Sequence, residues 1–165
     1  MRADDDRDPR TVKDMLVTNH VLSGAAIGAA VRRPVPAFAL GVASHFALDA
    51  APHWGKFGGG RRYLKVAVPD GLVGLAVMGT ITAMVPHGSR VAVLAGMTGA
   101  ALPDLDKPSR LFFGRSPFPA AFDRFHMGIQ HEASRRAHYE ATAAVVFGLV
   151  AFALLHGRER KRATT

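Results

Sequence analysis

Gly71-Leu-Val-Gly-Leu-Ala-Val-Met-Gly-Thr-Ile-Thr-Ala-Met-Val85 carries no charged side chain and has no polar face at the helical period. A helix that is apolar all round belongs in lipid or at the centre of a much larger protein. At 165 residues the chain fits one domain, which favours lipid over a deep soluble core. Four further apolar blocks surround this run, at 16–31, 37–51, 91–102 and 139–155, and the quoted run itself extends back to Val66. A bilayer core needs about 20 apolar residues per helix, a length that only the third and fifth blocks approach. The shorter ones are rich in Gly and Ala, as in Ser23-Gly-Ala-Ala-Ile-Gly-Ala-Ala30, which permits close approach inside a bundle.

The punctuation agrees. Arg32-Arg-Pro-Val-Pro36 breaks the first block, Pro52 closes the second, Pro86-His-Gly-Ser-Arg90 reads as a tight turn, and Pro103 stops the fourth. Thr18 or Asn19 suits the N-cap of the first helix, and Pro69-Asp70 the first turn of the third. The expected fold is all-α: an integral membrane bundle of about five short helices, with a polar metal-site loop over 104–136 before the last. Residues 1–15 read as a disordered polar tail without the apolar stretch of a secretory signal, 16–157 as one membrane-embedded domain, and 158–165 as a basic tail.

Cysteine is absent, so disulfides and thiolate metal sites are excluded. A net charge of +8 fits anionic headgroups or cytoplasmic loops. Nucleic acid is disfavoured, because aromatic residues are not interleaved with the basic ones and no nucleic-acid motif is present.

If the helices alternate in direction, the acidic and imidazole side chains gather on one side. His20 starts the first helix, His45 and Asp49 end the second one turn apart, Asp70 starts the third, and Asp104 and Asp106 follow the fourth. His126 and His131 precede the fifth, while His87 and His156 fall on the opposite side. Random scatter would divide them between both sides. Blander uses exist for several: His20 near a cap, Asp70 at a helix start, Asp104 and Asp106 in an Asx turn, His53 as an interfacial side chain. His45-x-x-x-Asp49 resists that treatment, since a carboxylate inside an Ala/Phe/Leu run is costly unless paired or ligating a cation.

Pro103-Asp-Leu-Asp-Lys-Pro108 followed by His126-Met-Gly-Ile-Gln-His131 resembles the membrane-bound metal-dependent hydrolases of bacteria, a family that includes a LexA-regulated inner-membrane protein. Its pattern is Pro-Asp-x-Asp-His, then His-Arg-Gly-x-Thr-His-Ser, with an early His on the first helix. His20, Asp104, Asp106, His126 and His131 fit that pattern, whereas Lys107, Met127, Gln130 and Glu132 depart from it. The His45/Asp49 pair is also similar, more distantly, to the all-helical zinc-dependent phospholipase C and nuclease group.

The resemblance implies a membrane hydrolase with one or two divalent ions, Zn²⁺ first, held by His45, Asp49, Asp104, His126 and His131, with His20 and Asp70 ligating or supporting. Asp106 or Glu132 would orient a water or act as general base. Membrane lipids and an anionic, phosphate-containing substrate are the expected partners, through the basic residues Arg61, Arg62 and Lys65. The Lys and Arg of 54–65 and 104–136 favour an inner-membrane protein whose site faces the cytoplasm. The competing reading is a non-catalytic membrane protein in which the cluster binds a structural metal or joins helices. A soluble helical phosphodiesterase is the third.

Overall fold

The computed structural model describes residues 16–54, 61–132 and 137–163, with side chains described outside 61–63, 131–132, 137 and 156–163. The polar segment 1–15 and most of the glycine-rich basic loop, 55–60, lie outside the described residues. Among the described residues the protein is all-helical apart from one two-residue strand pair. In chain order it forms α1 (Val17–Val31), α2 (Pro34–Ala50), β1 (Pro52–His53), α3 (Arg61–Met84) and α4 (His87–Ala101). A 3-10 turn (Leu102–Leu105), α5 (Asp106–Phe113), α6 (Ala120–Ile129), β2 (His131–Glu132) and α7 (Ala137–Ala163) follow.

All five apolar blocks are helices, but several boundaries differ from expectation for clear reasons. Pro34 and Pro36 open α2 instead of separating it from its start, because Pro in the first turn gives up an N–H that has no helical partner there. Arg32 takes a left-handed conformation (φ 61°) and donates its N–H to Gly28 O, so α1 ends and the chain reverses within two residues. Pro69 lies inside α3, which starts at Arg61; Pro69-Asp70 is therefore not its first turn. His87 to Arg90 form the first turn of α4, with Ser89 N–H on Pro86 O at 2.9 Å. The polar stretch after α4 is mostly helical where a loop was expected: Pro103 enters the 3-10 turn, and Gly114, at φ 73°, ends α5. α7 continues through the basic segment to Ala163.

α4 is the packing centre, lying against both α1 and α2. Its contact with α1 is backbone on backbone. A Cβ placed on Gly24 would sit 2.4 Å from Gly96 O, and one on Gly96 would sit 2.3 Å from Gly24 O. Gly41 of α2 meets the same Gly96 O at 2.4 Å. Around this crossing Val21, Ala25, Ala29, Val85, Val93, Met97 and Ala151 form the core.

α3 and α7 pack on α1 and turn the rest of their surface outward. Leu72, Leu75, Leu149 and Phe152 are exposed. The segments Leu64–Met84 and His138–Leu155 are long and apolar enough to cross a membrane, and only 6% and 11% of them are buried within the protein.

The crossing yields a direct contrast. Gly96→Leu drives a side chain into the backbone of α1 and is expected to cost more than the roughly 1–3 kcal/mol of ordinary overpacking. Gly71 of α3 has nothing within 4 Å of its Cβ position. Gly71→Ala should therefore be neutral or stabilising by up to about 1 kcal/mol from helix propensity. Thermal unfolding of the two variants in detergent, read by circular dichroism, checks both.

Candidate metal centre

The centre is assembled by three chain terminations. α2 must end before Pro52, and Ala51 takes the extended conformation that a residue preceding proline prefers (ψ 152°). His45 and Asp49, four residues apart in its last turns, share one face and are fully buried. α4 tightens at Pro103 into the 3-10 turn, which brings Asp104 to that face at 5% exposure. The last turn of α6 adds His126, also buried. The strand pair, with Pro52 opposite His131 and His53 opposite Glu132, ties the chain leaving α6 to the chain leaving α2.

One ligand atom from each of His45, Asp49, Asp104 and His126 lies within 4.8 Å of all the others. His126 Nε2 is 2.8 Å from Asp49 Oδ2 and 2.9 Å from His45 Nε2. His45 Nε2 is 3.2 Å from Asp49 Oδ2 and 3.6 Å from Asp104 Oδ1, and His126 Nε2 is 3.5 Å from that same oxygen. His45 Nδ1 donates to Ala100 O at 2.8 Å, because a carbonyl can only accept. In the neutral ring this leaves a lone pair on Nε2, aimed at the cluster. A backbone carbonyl holding the far nitrogen is also the usual way a metal-bound imidazole is oriented.

Electrostatics ask for a cation. Two carboxylates, Asp49 and Asp104, face one ammonium, that of Lys107, which pairs with Asp104 Oδ1. Asp49 is met by the imidazoles of His20, His45 and His126 at 3.3, 3.2 and 2.8 Å, and with those rings neutral its buried charge is retained at acceptable cost when bound to a metal. Burial would push the Asp104 carboxyl upward, but Lys107, His45 and His20 outweigh it and hold it below the usual carboxylate range. Nitrogen and oxygen donors without sulfur are the set expected for zinc-class ions.

The other residues singled out from sequence divide clearly. His20 is wholly buried and stacked on His45 (centroids 4.1 Å apart, planes 30° apart), with Nε2 3.3 Å from Asp49 Oδ1. Asp106 is buried on the turn after Asp104, with Oδ2 3.5 Å from Arg110 Nε. Burial pushes its carboxyl upward, opposed but not cancelled by Lys107. The backbone of His131 and Glu132 forms β2, while their side chains lie outside the described residues.

Asp70 is not brought into the cluster. Its carboxylate accepts from Val17 N–H and Thr18 Oγ1, each at 2.6 Å, and so caps α1 from another helix. Neither Thr18 nor Asn19 is the N-cap of α1; that position is Leu16, which has no capping side chain.

Two buried polar residues were missed and a third was misplaced. Gln130 Nε2 donates to Asp49 Oδ2 at 3.4 Å, and the spacing His126-x-x-x-Gln130 was the available signal. Glu140 accepts from Asn19 Nδ2 and, at 3.2 Å, from Trp54 N–H. It is a carboxylate at the edge of an apolar run, the same signal that exposed Asp49. His53, expected at an interface, is 2% exposed, and its Nδ1 donates to Ala51 O at 2.8 Å.

No protein-family model matches the chain, and no curated protein or solved structure matches it either.

Asp70 and the cluster separate experimentally. Asp70→Ala should lower stability by about 1 kcal/mol, the usual worth of a helix cap, and leave bound metal per chain unchanged. Chemical unfolding alongside elemental analysis of the same preparation measures both.

Proposed function

We propose that this chain is a multi-pass membrane hydrolase, with α3 and α7 crossing the bilayer and a divalent ion, Zn²⁺ first, held by His45, Asp49, Asp104 and His126. The observation that carries the reading is the convergence of four buried ligand atoms within 4.8 Å, two of them from carboxylates served by a single ammonium. A bound ion of this class supplies Lewis acidity and makes water a nucleophile near neutral pH.

The chain's own residues account for the remainder. The Ala100 carbonyl fixes the ring of His45, and Gln130 holds Asp49 Oδ2 from the outer side. Asp106 is the carboxylate we assign to orienting the attacking water and accepting its proton, because it is buried next to Asp104 in sequence and its Oδ1 has no hydrogen-bond partner. Lys107 brings a cation to the rim, where an anionic group of the substrate would be met. A phosphodiester or other ester at the membrane interface, such as a lipid headgroup, is the substrate class that fits a net charge of +8 and long apolar outer faces. The charge distribution supports an inner-membrane location with the site on the cytoplasmic side.

A second reading has one observation in its favour. Lys107 already pairs with Asp104, so part of the buried charge is met without metal. On that reading the cluster joins α2, α4 and α6 and has no catalytic role.

Elemental analysis of detergent-purified protein beside a His45→Ala/Asp49→Ala double variant decides between them. The hydrolase reading expects stoichiometric zinc, manganese or iron in the parent and its loss in the double variant. A parent that stays metal-free after incubation with zinc would sink it. With metal present, Asp106→Asn should retain the ion and lose about 10²- to 10⁴-fold in turnover of a phosphodiester, the usual worth of a general base.

A further inference from the structure

We propose that the chain holds a second divalent cation beside the first, with Asp49 as the shared carboxylate and His20 as the ligand belonging to the second ion alone. The inference rests on the metal reading above and extends it to residues that the four-ligand group does not include.

The two oxygens of Asp49 have different surroundings. Oδ2 is crowded: His126 Nε2 at 2.8 Å, His45 Nε2 at 3.2 Å and Gln130 Nε2 at 3.4 Å. Oδ1 faces the other way, toward His20, and has no hydrogen-bond partner although it is buried. His20 is 0% exposed, and neither of its ring nitrogens has a hydrogen-bond partner. Its Nε2 stands 3.3 Å from Asp49 Oδ1, the nearest polar contact given for that ring.

A fully buried imidazole normally satisfies at least one nitrogen, since each unpaired buried polar group costs about 1–3 kcal/mol. Here an unpaired nitrogen and an unpaired carboxylate oxygen are adjacent, and both are acceptors once the ring presents its lone pair. A cation between them satisfies both. A carboxylate that gives one oxygen to each of two ions is an ordinary bridge in paired-metal sites.

Stacking explains why His20 serves a separate ion and does not add a fifth ligand to the first. Its ring lies against that of His45, 4.1 Å between centroids, and it is not one of the four residues whose ligand atoms all lie within 4.8 Å of one another. Asp104 carries a further unpartnered buried oxygen, Oδ2, while its Oδ1 is taken up with Lys107 and the first group. Between His20, Asp49 Oδ1 and Asp104 Oδ2 the second position has fewer protein donors than the first. It is therefore the one with coordination left over for water or a substrate oxygen.

The experiment is a metal count on the full-length, detergent-purified chain loaded with Zn²⁺ and freed of excess, for the parent and for His20→Phe. Phe keeps a flat ring against His45 and removes both nitrogens. Two zinc ions per parent chain and one per His20→Phe chain are expected. A parallel Co²⁺ titration of the parent alone, followed by visible absorption, should saturate in two steps, and it stands even if the variant does not fold. One ion per parent chain, saturating in a single step, overturns the proposal while leaving the four-ligand site intact. Two ions retained in a folded His20→Phe protein overturns it as well. No metal in the parent is the separate outcome in which the four-ligand reading fails and takes this one with it.

Discussion

Gly96 of α4 has the backbones of both α1 and α2 pressed against it, and the placing of His45 and Asp49 beside the end of α4 follows from that contact. Three helices meet where no Cβ would fit, so α2 is set against α4 at close range. A Cβ on Gly41 would lie 2.9 Å from Ala100 N as well as meeting Gly96 O. Gly41 and His45 are one turn apart on α2, and close approach at the first brings the second to the last turn of α4. There the Ala100 carbonyl receives His45 Nδ1. Glycine packing thus determines which nitrogen of His45 faces the cluster. A wider spacing between α2 and α4 would leave that ring unoriented, whatever its sequence neighbours.

The polar interior is divided into two networks that share α1 but do different work. His20, near the start of α1, lies against the ring of His45 in the buried His/Asp cluster. Asn19, its neighbour in sequence, points elsewhere and donates to Glu140, whose carboxylate also receives Trp54 N–H just after β1. The first network gathers two carboxylates and leaves buried atoms of His20, Asp49 and Asp104 without a hydrogen-bond partner. The second sets donors of Asn19 and Trp54 on the Glu140 carboxylate and ties α7 to α1. That difference makes the first a candidate for chemistry and the second a fastening.

Much of this was readable from residue order. Prolines at 52, 86 and 103 mark real helix ends, the apolar blocks are helices, and His45, Asp49, Asp104 and His126 converge as helix counting implied. What was not readable depends on contacts remote in sequence. Asp70 looked like a helix-start carboxylate and a possible ligand; its partners are Val17 and Thr18, more than fifty residues away. Nothing local to Pro69 announces that α3 already began at Arg61, because proline suits a first turn and is tolerated inside a helix chiefly where a membrane bundle re-satisfies the freed carbonyl. The stretch after Pro103 is polar with several prolines and reads as loop, yet α5 and α6 form within it. Lys107 registered only as a departure from a motif, and its pairing with Asp104 emerges once the 3-10 turn is in place.

The capping of α1 by Asp70 has a bearing on how the molecule is made. α1 is the first helix of the described chain to leave the ribosome, and its exposed N–H groups at Val17 and Thr18 are met by a side chain on the third. Asn19 waits longer still, for Glu140 on the last. Until those later segments arrive, the beginning of α1 must keep company with water or with headgroups. The earliest described helix is thus finished late, and its start closes only once α7 has been made.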